Sequence, residues 1–267
     1  MPFTLAHPAA VLPLGKTPLV ASGLVVGSLS PDLTYFVALR PLGGDFTHSP
    51  LGLVVVDLPL ALALLALFHA FAAPALVSLA PRWVRERVVA VARPPRPSPV
   101  LVVSVLVGGA THLVWDAFTH HDGFAVTRLP WLTDSLWTDM PVHQFLQLGS
   151  SAAGLAVVLW WCARHLRGAE PAPVPARFAP ARRPWLPVTG VVVAAGALAV
   201  GNALRGMANV ADQSVVGVTR TLAAGVAPTG TQVQTGLVLA SIGAVTGAFL
   251  GLLAYGVVRR RGLTSPR

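Results

Sequence analysis

Histidine and aspartate are concentrated in one stretch of the chain, at a spacing that suits metal binding. His112, Asp116 and His120 follow one another at intervals of four residues, so on a helix they lie along one face. Imidazole nitrogens and carboxylate oxygens are the ligands that a catalytic zinc or a similar divalent ion takes. His121 is turned about half a revolution from His112 on an ideal helix, which favours His120 as the third ligand. The alternative for the trio is an Asp–His hydrogen-bonded pair that only ties helices together.

Three further candidate ligands precede this stretch. They are His7, Asp32 in the sequence Ser-Pro-Asp and His48 in the sequence Thr-His-Ser, each beside a proline or at the edge of an apolar segment. Taken singly, each would be a helix cap or an interface residue; Asp32, for example, could cap a helix that begins at Leu33. We expect backbone turns at these positions to aim all three side chains at the pocket that holds His112.

Other ionisable groups have weaker claims to the same pocket. Asp57 either completes the site or pairs with Arg40, and the sequence does not choose between these roles. His143 and Gln147 form another pair at a spacing of four residues. Two histidines are not expected to belong to the pocket, because they lie near the ends of their apolar segments that are on the other side of the membrane: His69 and His165.

The elements that must position these groups follow from the composition. Hydrophobic residues make up 54% of the 267 residues and charged residues only 11%, whereas an average soluble domain is about 25% charged. An ordinary soluble globular protein and a disordered chain are therefore both excluded. The single cysteine, Cys162, excludes a disulfide scaffold. The chain is predicted to be a polytopic membrane protein.

Five apolar segments are long enough to cross about 30 Å of hydrocarbon, which takes about 20 helical residues. They cover approximately residues 51–79, 99–121, 144–163, 185–204 and 235–258. Leu19–Leu29 is too short to span and, with Pro8–Leu14, predicts a short helical pair that dips into the bilayer or packs on the bundle. The predicted fold is all-α, with about five transmembrane helices and this N-terminal pair.

Three regions are predicted along the chain. Residues 1–163 form a membrane domain that carries the metal site, with the N-terminal helical pair and the first three spans. Residues 164–184 form a cytoplasmic linker rich in proline and arginine, and residues 185–267 form a C-terminal pair of transmembrane helices with a basic tail.

The basic residues predict the orientation of the chain. Fourteen of the nineteen Lys and Arg residues lie in 81–98, in 164–184 and in the tail from residue 259, which five crossings place on one side. Because cytoplasmic loops carry an excess of Lys and Arg, we assign this side and the C-terminus to the cytoplasm. The net charge of +9 is then a signal of membrane topology, and nucleic acid is not an expected partner.

The candidate ligands gather on the opposite side, facing outward. All eight aspartates and six of the eight histidines fall in the outer segments or the outer halves of spans. A helix that begins near Pro99 places His112 roughly 10 Å beneath the outer boundary of the hydrocarbon core. An ionisable residue at that depth is costly and indicates a functional site.

Three sequence motifs resemble a known family. They are the opening Met-Pro-Phe-Thr-Leu-Ala-His-Pro-Ala-Ala-Val-Leu-Pro-Leu, then Gly27-Ser-Leu-Ser-Pro-Asp-Leu-Thr-Tyr-Phe36, and His48-Ser-Pro-Leu-Gly-Leu. They resemble the bacterial membrane proteins grouped as domain of unknown function 4184, over at least residues 1–125. The pattern is also similar to that of predicted membrane-bound metal-dependent hydrolases. The resemblance implies a location in the bacterial cytoplasmic membrane.

A more distant resemblance is to zinc-dependent phospholipase C, through the order of its metal ligands. The matching positions here are His7, Asp32, His48, His112-x-x-x-Asp116, His120 or His121, and His143-x-x-x-Gln147. Gln147 stands where that enzyme has a glutamate, so one or two ions are expected instead of three. The resemblance implies zinc as the metal.

The function expected from these patterns is metal-dependent hydrolysis of a lipid-like or amphiphilic (phospho)ester near the outer leaflet. His48, His112 and Asp116 would hold the ion, and Asp32 would be a further ligand or the catalytic base. The expected partner is membrane lipid. Two alternatives stay open: an ion or proton transporter, and a non-enzymatic membrane protein with a structural metal.

Overall fold

The computed structural model describes residues 4–37, 44–91, 93–137 and 139–264. The α-helices in these ranges are Pro8–Val11, Ala21–Leu29, Leu33–Val37, Gly44–Thr47, Pro50–Gly52, Leu58–Leu67, Ala73–Leu79, Arg82–Val91, Pro99–Thr119, Val142–Gly168, Trp185–Val210, Val215–Ala223 and Gly230–Thr264. Short 3₁₀ turns cover Thr4–Ala6, Leu12–Lys16, Ser30–Asp32, Pro130–Leu132 and Ala176–Phe178. Two strands, Ser135–Trp137 and Met140–Pro141, form an antiparallel hairpin.

Five helical segments are long and apolar enough to cross a membrane. They are Pro50–Leu79, Pro99–Thr119, Val142–Gly168, Trp185–Val210 and Gly230–Gly262. The predicted all-α membrane fold with five spans is confirmed. Several of these helices continue beyond the apolar windows, because helical hydrogen bonding does not stop where hydrophobicity does.

The first of these segments contains two π-helical turns, Leu53–Asp57 and Phe68–Ala72. A proline ring clashes with the carbonyl group four residues earlier and removes one helical hydrogen bond. Pro59 and Pro74 place those carbonyls at Val55 and Ala70, one inside each π turn. The widened turns therefore let the helix continue past both prolines.

The chain divides into two compact units. The first comprises Met1–Ala66 and Ala90–Pro171, and the second comprises Leu67–Val89 and Ala172–Arg267. All the candidate ligands named above lie in the first unit. Its hydrophobic core contains buried residues from three elements: Val26, Ala61, Leu65, Leu101 and Val105.

The N-terminal helical pair packs onto the first unit's spans, and glycine permits the close approach. A Cβ atom on Gly27 would overlap the backbone of Val105, and one on Gly108 would overlap the carbonyl of Leu24. Small residues of this kind let membrane helices pack backbone against backbone. The helix Ala21–Leu29 therefore lies directly against Pro99–Thr119.

In the second unit, the helices Trp185–Val210 and Gly230–Thr264 pack against each other along their length. Here too glycine sets the distance, since a Cβ on Gly243 or Gly247 would overlap the backbone of the facing helix. The basic tail end is tied to its own unit, because the Arg259 guanidinium donates a hydrogen bond of 2.9 Å to the Ala179 carbonyl.

Candidate metal centre

Two aspartates and two histidines converge inside the first unit. One ligand atom from each of Asp32, His48, His112 and Asp116 lies within 4.8 Å of the others, an arrangement that could hold a metal ion. Three elements supply them: the 3₁₀ turn Ser30–Asp32, the bend that follows Gly44–Thr47, and the span Pro99–Thr119.

The distances within this quartet place imidazole nitrogens opposite carboxylate oxygens. Asp116 Oδ2 lies 3.1 Å from His112 Nε2 and 3.3 Å from His48 Nε2. Asp32 Oδ1 lies 3.5 Å from His48 Nε2 and 3.8 Å from His112 Nε2. Both carboxylates therefore face the same two rings.

The turn that carries Asp32 aims its carboxylate into the quartet. Thr4 Oγ1 donates a hydrogen bond of 2.6 Å to Asp32 Oδ2, which leaves Oδ1 as the oxygen beside the two rings. Thr47 Oγ1 donates to the carbonyl of Pro31, which joins the His48 bend to the same turn. Asp32 thus lies directly before the helix Leu33–Val37, while its side chain is directed toward Thr4 and the histidines.

The orientation of His112 is set by a backbone carbonyl. Its Nδ1 lies 2.8 Å from the carbonyl oxygen of Ser28. A carbonyl only accepts hydrogen bonds, so Nδ1 carries a proton, and Nε2 is the ring nitrogen that faces the two carboxylates. The glycine contacts of Gly27 and Gly108 bring Ser28 close enough for this bond. Such an outer partner is typical of a metal-ligating histidine.

Several buried polar atoms of the site have no hydrogen-bond partner within the described residues. They are Nε2 of His7 and His112, both carboxylate oxygens of Asp116, and Nδ1 of His120. His112 is fully buried and Asp116 is 6% exposed. Polar and charged groups without hydrogen bonds are costly at such burial, and a cation among them would be coordinated by both the imidazole nitrogens and the carboxylate oxygens. The residues present therefore fit a divalent metal ion.

An isolated Asp–His pair, the alternative that the spacing alone left open, needs one ring and one carboxylate. Here two further histidines, His7 and His120, also lie beside the quartet. His7 stacks on His112 with 3.7 Å between ring centroids, and its Nε2 lies 3.7 Å from Asp116 Oδ1. His120 Nδ1 lies 3.5 Å from Asp116 Oδ2. The six predicted ligands thus lie in one cluster.

His120 reaches this cluster from beyond the end of its helix. The span ends at Thr119, and His120 has an extended backbone with φ −99° and ψ 142°. Its neighbour His121 points elsewhere, with a side chain that is 84% exposed and 3.5 Å from Asp122. Of these two histidines, only His120 lies beside Asp116.

Burial and neighbouring charges set the protonation of the groups outside the spans. Burial lowers the pKa of His7 to about 4, which keeps its ring neutral at pH 7 with a lone pair available. Burial also lowers the pKa of His120. For Asp32, burial acts to raise the pKa, but hydrogen bonding to His48 and the charge of His112 outweigh it and lower the pKa. Neutral rings beside an ionised carboxylate are the forms that bind metal.

The groups with weaker claims lie outside the quartet. Asp57 is fully buried, and neither carboxylate oxygen has a hydrogen-bond partner in the described ranges; Arg40, its predicted partner, lies outside them. The remaining candidates are not among the four converging residues: His69, His143, Gln147 and His165.

Sequence reasoning missed the residues that position the ligands, chiefly Thr4 and Ser28. Ser28 acts through its main-chain carbonyl, which every residue type possesses, so no side-chain pattern could have identified it. Thr4 lies 28 positions from the aspartate that it contacts. Only its place three residues before His7 offered a signal.

A cavity of about 300 Å³ opens beside the quartet. Its lining includes Tyr35, His48, Asp116, His120, Asp122 and Phe124. The candidate ligands in its lining are polar, while Tyr35 and Phe124 add aromatic surface. A small polar group can therefore reach the candidate metal centre from this side.

Comparison with known proteins identifies one family. A protein-family model described as "Domain of unknown function (DUF4184)" matches residues 1–257, which confirms the resemblance of the sequence motifs. Neither the curated proteins nor the solved structures contain a match to the chain. The likeness to membrane-bound hydrolases and to zinc-dependent phospholipase C stays a prediction.

Proposed function

We propose that this chain, which belongs to the family described as domain of unknown function 4184, is a membrane-embedded metal-dependent hydrolase. Its substrate is a lipid-like or amphiphilic (phospho)ester. The observation that carries the proposal is the convergence of Asp32, His48, His112 and Asp116 beside an open cavity. A purely structural metal has no need of such a cavity.

The residues that would hold the metal are His48, His112 and Asp116, with His7 and His120 at the edge of the set. We expect zinc, since its preferred ligands are the imidazole and carboxylate groups present here. When bound, the ion lowers the pKa of a water molecule toward about 7 and polarises a phosphoryl or acyl oxygen.

Asp32 is the residue to which we assign the proton-handling role. Thr4 occupies Oδ2, so Oδ1 is the oxygen that faces the two imidazoles and can accept a proton from an attacking water. The lowered pKa keeps this carboxylate ionised at neutral pH. The hydrogen bond from Thr4 and the burial of the side chain hold it in one orientation.

The same residues predict how to separate metal binding from hydrolysis. Purified protein should contain a zinc-like ion by elemental analysis, and it should hydrolyse a member of a panel of phosphate and carboxylic esters. Asp32→Asn should reduce turnover by at least about 100-fold, the usual contribution of a positioned acid or base, while most of the metal stays bound. Asp134→Asn, at an exposed aspartate of the same unit, is the matched control. Metal-free wild-type protein, or full activity of Asp32→Asn, would contradict the proposal.

The membrane orientation is a separate part of the proposal. The excess of Arg in 81–98, 164–184 and the tail supports a cytoplasmic C-terminus and a site that faces outward, near the outer leaflet. Reporter fusions after Arg96 and after Arg183 should both behave as cytoplasmic. An extracytoplasmic signal from either fusion would overturn this orientation.

Asp57 is the observation that favours the second candidate, a proton or ion transporter. It is a fully buried carboxyl group within the span Pro50–Leu79, the type of residue that carries protons through membranes. The hydrolase is favoured because the other buried ionisable groups converge on one cluster. Metal or proton flux in proteoliposomes that Asp57→Asn abolishes, without hydrolysis by the wild type, would establish the transporter.

A further inference from the structure

The segment after the span Pro99–Thr119 folds back onto the end of that helix. The amide groups of Ala125 and Val126 both donate to the carbonyl of Ala117, at 3.0 and 3.3 Å. Ala125, Val126 and Leu132 form a buried apolar cluster with partly buried residues around it. The turn that contains Ala125 and Val126 is therefore anchored to Ala117, the residue that follows Asp116 of the candidate metal centre.

This turn places Phe124 in the wall of the cavity that opens beside the quartet. Its side chain is 68% exposed although it is a large aromatic group. The guanidinium carbon of Arg128 lies 3.6 Å from the centre of its ring. Arg128 Nη1 also donates a hydrogen bond of 3.1 Å to the Phe124 carbonyl. The ring and the carbonyl thus hold the exposed guanidinium of Arg128 against Phe124, one of the residues that line the cavity.

The guanidinium retains donors for a ligand. Arginine carries five N–H donors, and the bond to Phe124 uses one of them. In the part of the chain that the structure describes, Arg128 belongs to none of the ion pairs found. The two carboxylates that line the cavity, Asp116 and Asp122, lie beside histidines.

The placement of Arg128 is also unusual within this chain. Fourteen of the nineteen basic residues belong to the three basic segments, and Arg128 is one of the five that do not. The excess of basic residues on the predicted cytoplasmic side therefore does not account for the position of Arg128. A planar guanidinium stacked on an aromatic ring binds phosphate oxygens through paired hydrogen bonds, whereas a neutral ester offers it no charge.

We propose that Arg128 recognises an anionic phosphoryl group in this cavity and so selects phosphoesters over neutral carboxylic esters as substrates. The selection of phosphoesters rests on the proposed hydrolase function and narrows its substrate class. The phosphoryl group lies between the candidate metal centre and the guanidinium, and the cavity of about 300 Å³ admits a group of headgroup size. Arg128 acts as a specificity-determining residue and has no part in holding the metal.

The first test measures binding without catalysis. Inorganic phosphate is titrated into metal-loaded, full-length protein in detergent, and binding is followed by calorimetry. Arg128→Gln should weaken phosphate binding by about tenfold or more, as expected for loss of a charged hydrogen bond. Arg128→Lys should lie between the two, and Lys16→Gln, at an exposed lysine of the same unit, should bind as the wild type does. Metal content should be equal in all four proteins.

The second test compares esters that differ in charge. For an aryl phosphate, Arg128→Gln should raise KM by about tenfold, whereas KM for the matching neutral aryl carboxylate should not change. A long-chain phosphate lipid in vesicles distinguishes a lipid headgroup from a free phosphate compound as the source of the phosphoryl group. A preference for the lipid would identify the headgroup.

The outcomes separate this inference from the proposed function. Phosphate binding that is equal in the wild type and Arg128→Gln, or absent from metal-loaded wild type, overturns the role of Arg128. Ester hydrolysis without any Arg128 dependence overturns it as well but leaves the hydrolase in place. Arg128-dependent phosphate binding without hydrolysis of any ester supports the anion site and removes the hydrolase.

Discussion

The two units of this chain pack their helices by the same device and differ in what the packing encloses. In the first unit, Gly27 and Gly108 bring Ala21–Leu29 against the span Pro99–Thr119, and the Ser28 carbonyl then meets His112. In the second unit, Gly243 and Gly247 bring Gly230–Thr264 equally close to its partner helix. Close backbone packing therefore does not by itself create a site.

The difference lies in the buried polar groups. Of the buried polar or charged side chains within the described ranges, eleven belong to the first unit and one, Ser78, belongs to the second. Burying such groups is costly unless they are paired or bind a cation. We infer that the buried histidines and aspartates of the first unit form a metal centre, whereas the second unit is a membrane scaffold. Three changes test that contrast.

The largest effect is expected from removing a central ligand. His112→Ala should reduce bound metal to background, because its Nε2 faces both Asp32 and Asp116. His69→Ala, which changes a histidine of the second unit, should leave the metal content unchanged. Elemental analysis of the purified proteins measures both. Equal metal content in His112→Ala and wild type would restore the Asp–His pair as the better explanation.

A smaller effect is expected from widening either glycine contact. Gly27→Val should lower the free energy of unfolding by about 1–3 kcal/mol or more, since the added side chain overlaps the backbone of Val105. It should also weaken metal binding, because Ser28 then moves away from His112.

Gly247→Val in the second unit is the matched variant, with a similar overlap against Ala194. It should destabilise the protein to a similar degree in thermal unfolding and keep the metal affinity of the wild type. If both variants lost metal equally, the two units would not be functionally distinct.

The smallest effect is expected from a residue that only positions Asp32. Thr4→Val removes the hydrogen bond of 2.6 Å to Asp32 Oδ2, and should slow hydrolysis by about tenfold, since bonds to charged groups contribute about 1.5–3 kcal/mol. Thr4→Ser should retain most of the activity. Thr17→Val, which removes an equally short bond to the exposed Leu14 carbonyl, should have no effect on turnover. Unchanged kinetics of Thr4→Val would remove Thr4 from the site.

Much of the site could be predicted because its residues are exceptional for their surroundings. Histidines and aspartates stand out in a chain that is 54% hydrophobic. The four-residue spacing of His112 and Asp116 places them on one helix face in any regular helix. The position of His120 was harder to predict, because the helix ends at Thr119 and an extended residue, not helical periodicity, directs it to Asp116.

The role of Asp32 shows where prediction from spacing stops. The Ser-Pro-Asp sequence is compatible with a helix cap and with a ligand, and local sequence does not distinguish them. The choice depends on Thr4 and His48, which approach from distant parts of the chain. The same holds for Arg128, whose guanidinium stacks on the cavity-lining Phe124 in a segment that Ala125 and Val126 anchor to Ala117.

The sequence by itself determined that this is an all-α membrane protein with five spans, because hydrophobicity and segment length respond to the bilayer residue by residue. It also determined which residue types are available as ligands. The tertiary structure alone decided that Asp32, His48, His112 and Asp116 meet, and which atom of each faces the others. The reason is that these positions depend on backbone-to-backbone contact at Gly27 and Gly108, on a carbonyl at Ser28, and on a helix end at Thr119. Each is a relation between segments far apart in the chain or a local backbone geometry, and neither is expressed in hydrophobic pattern or spacing.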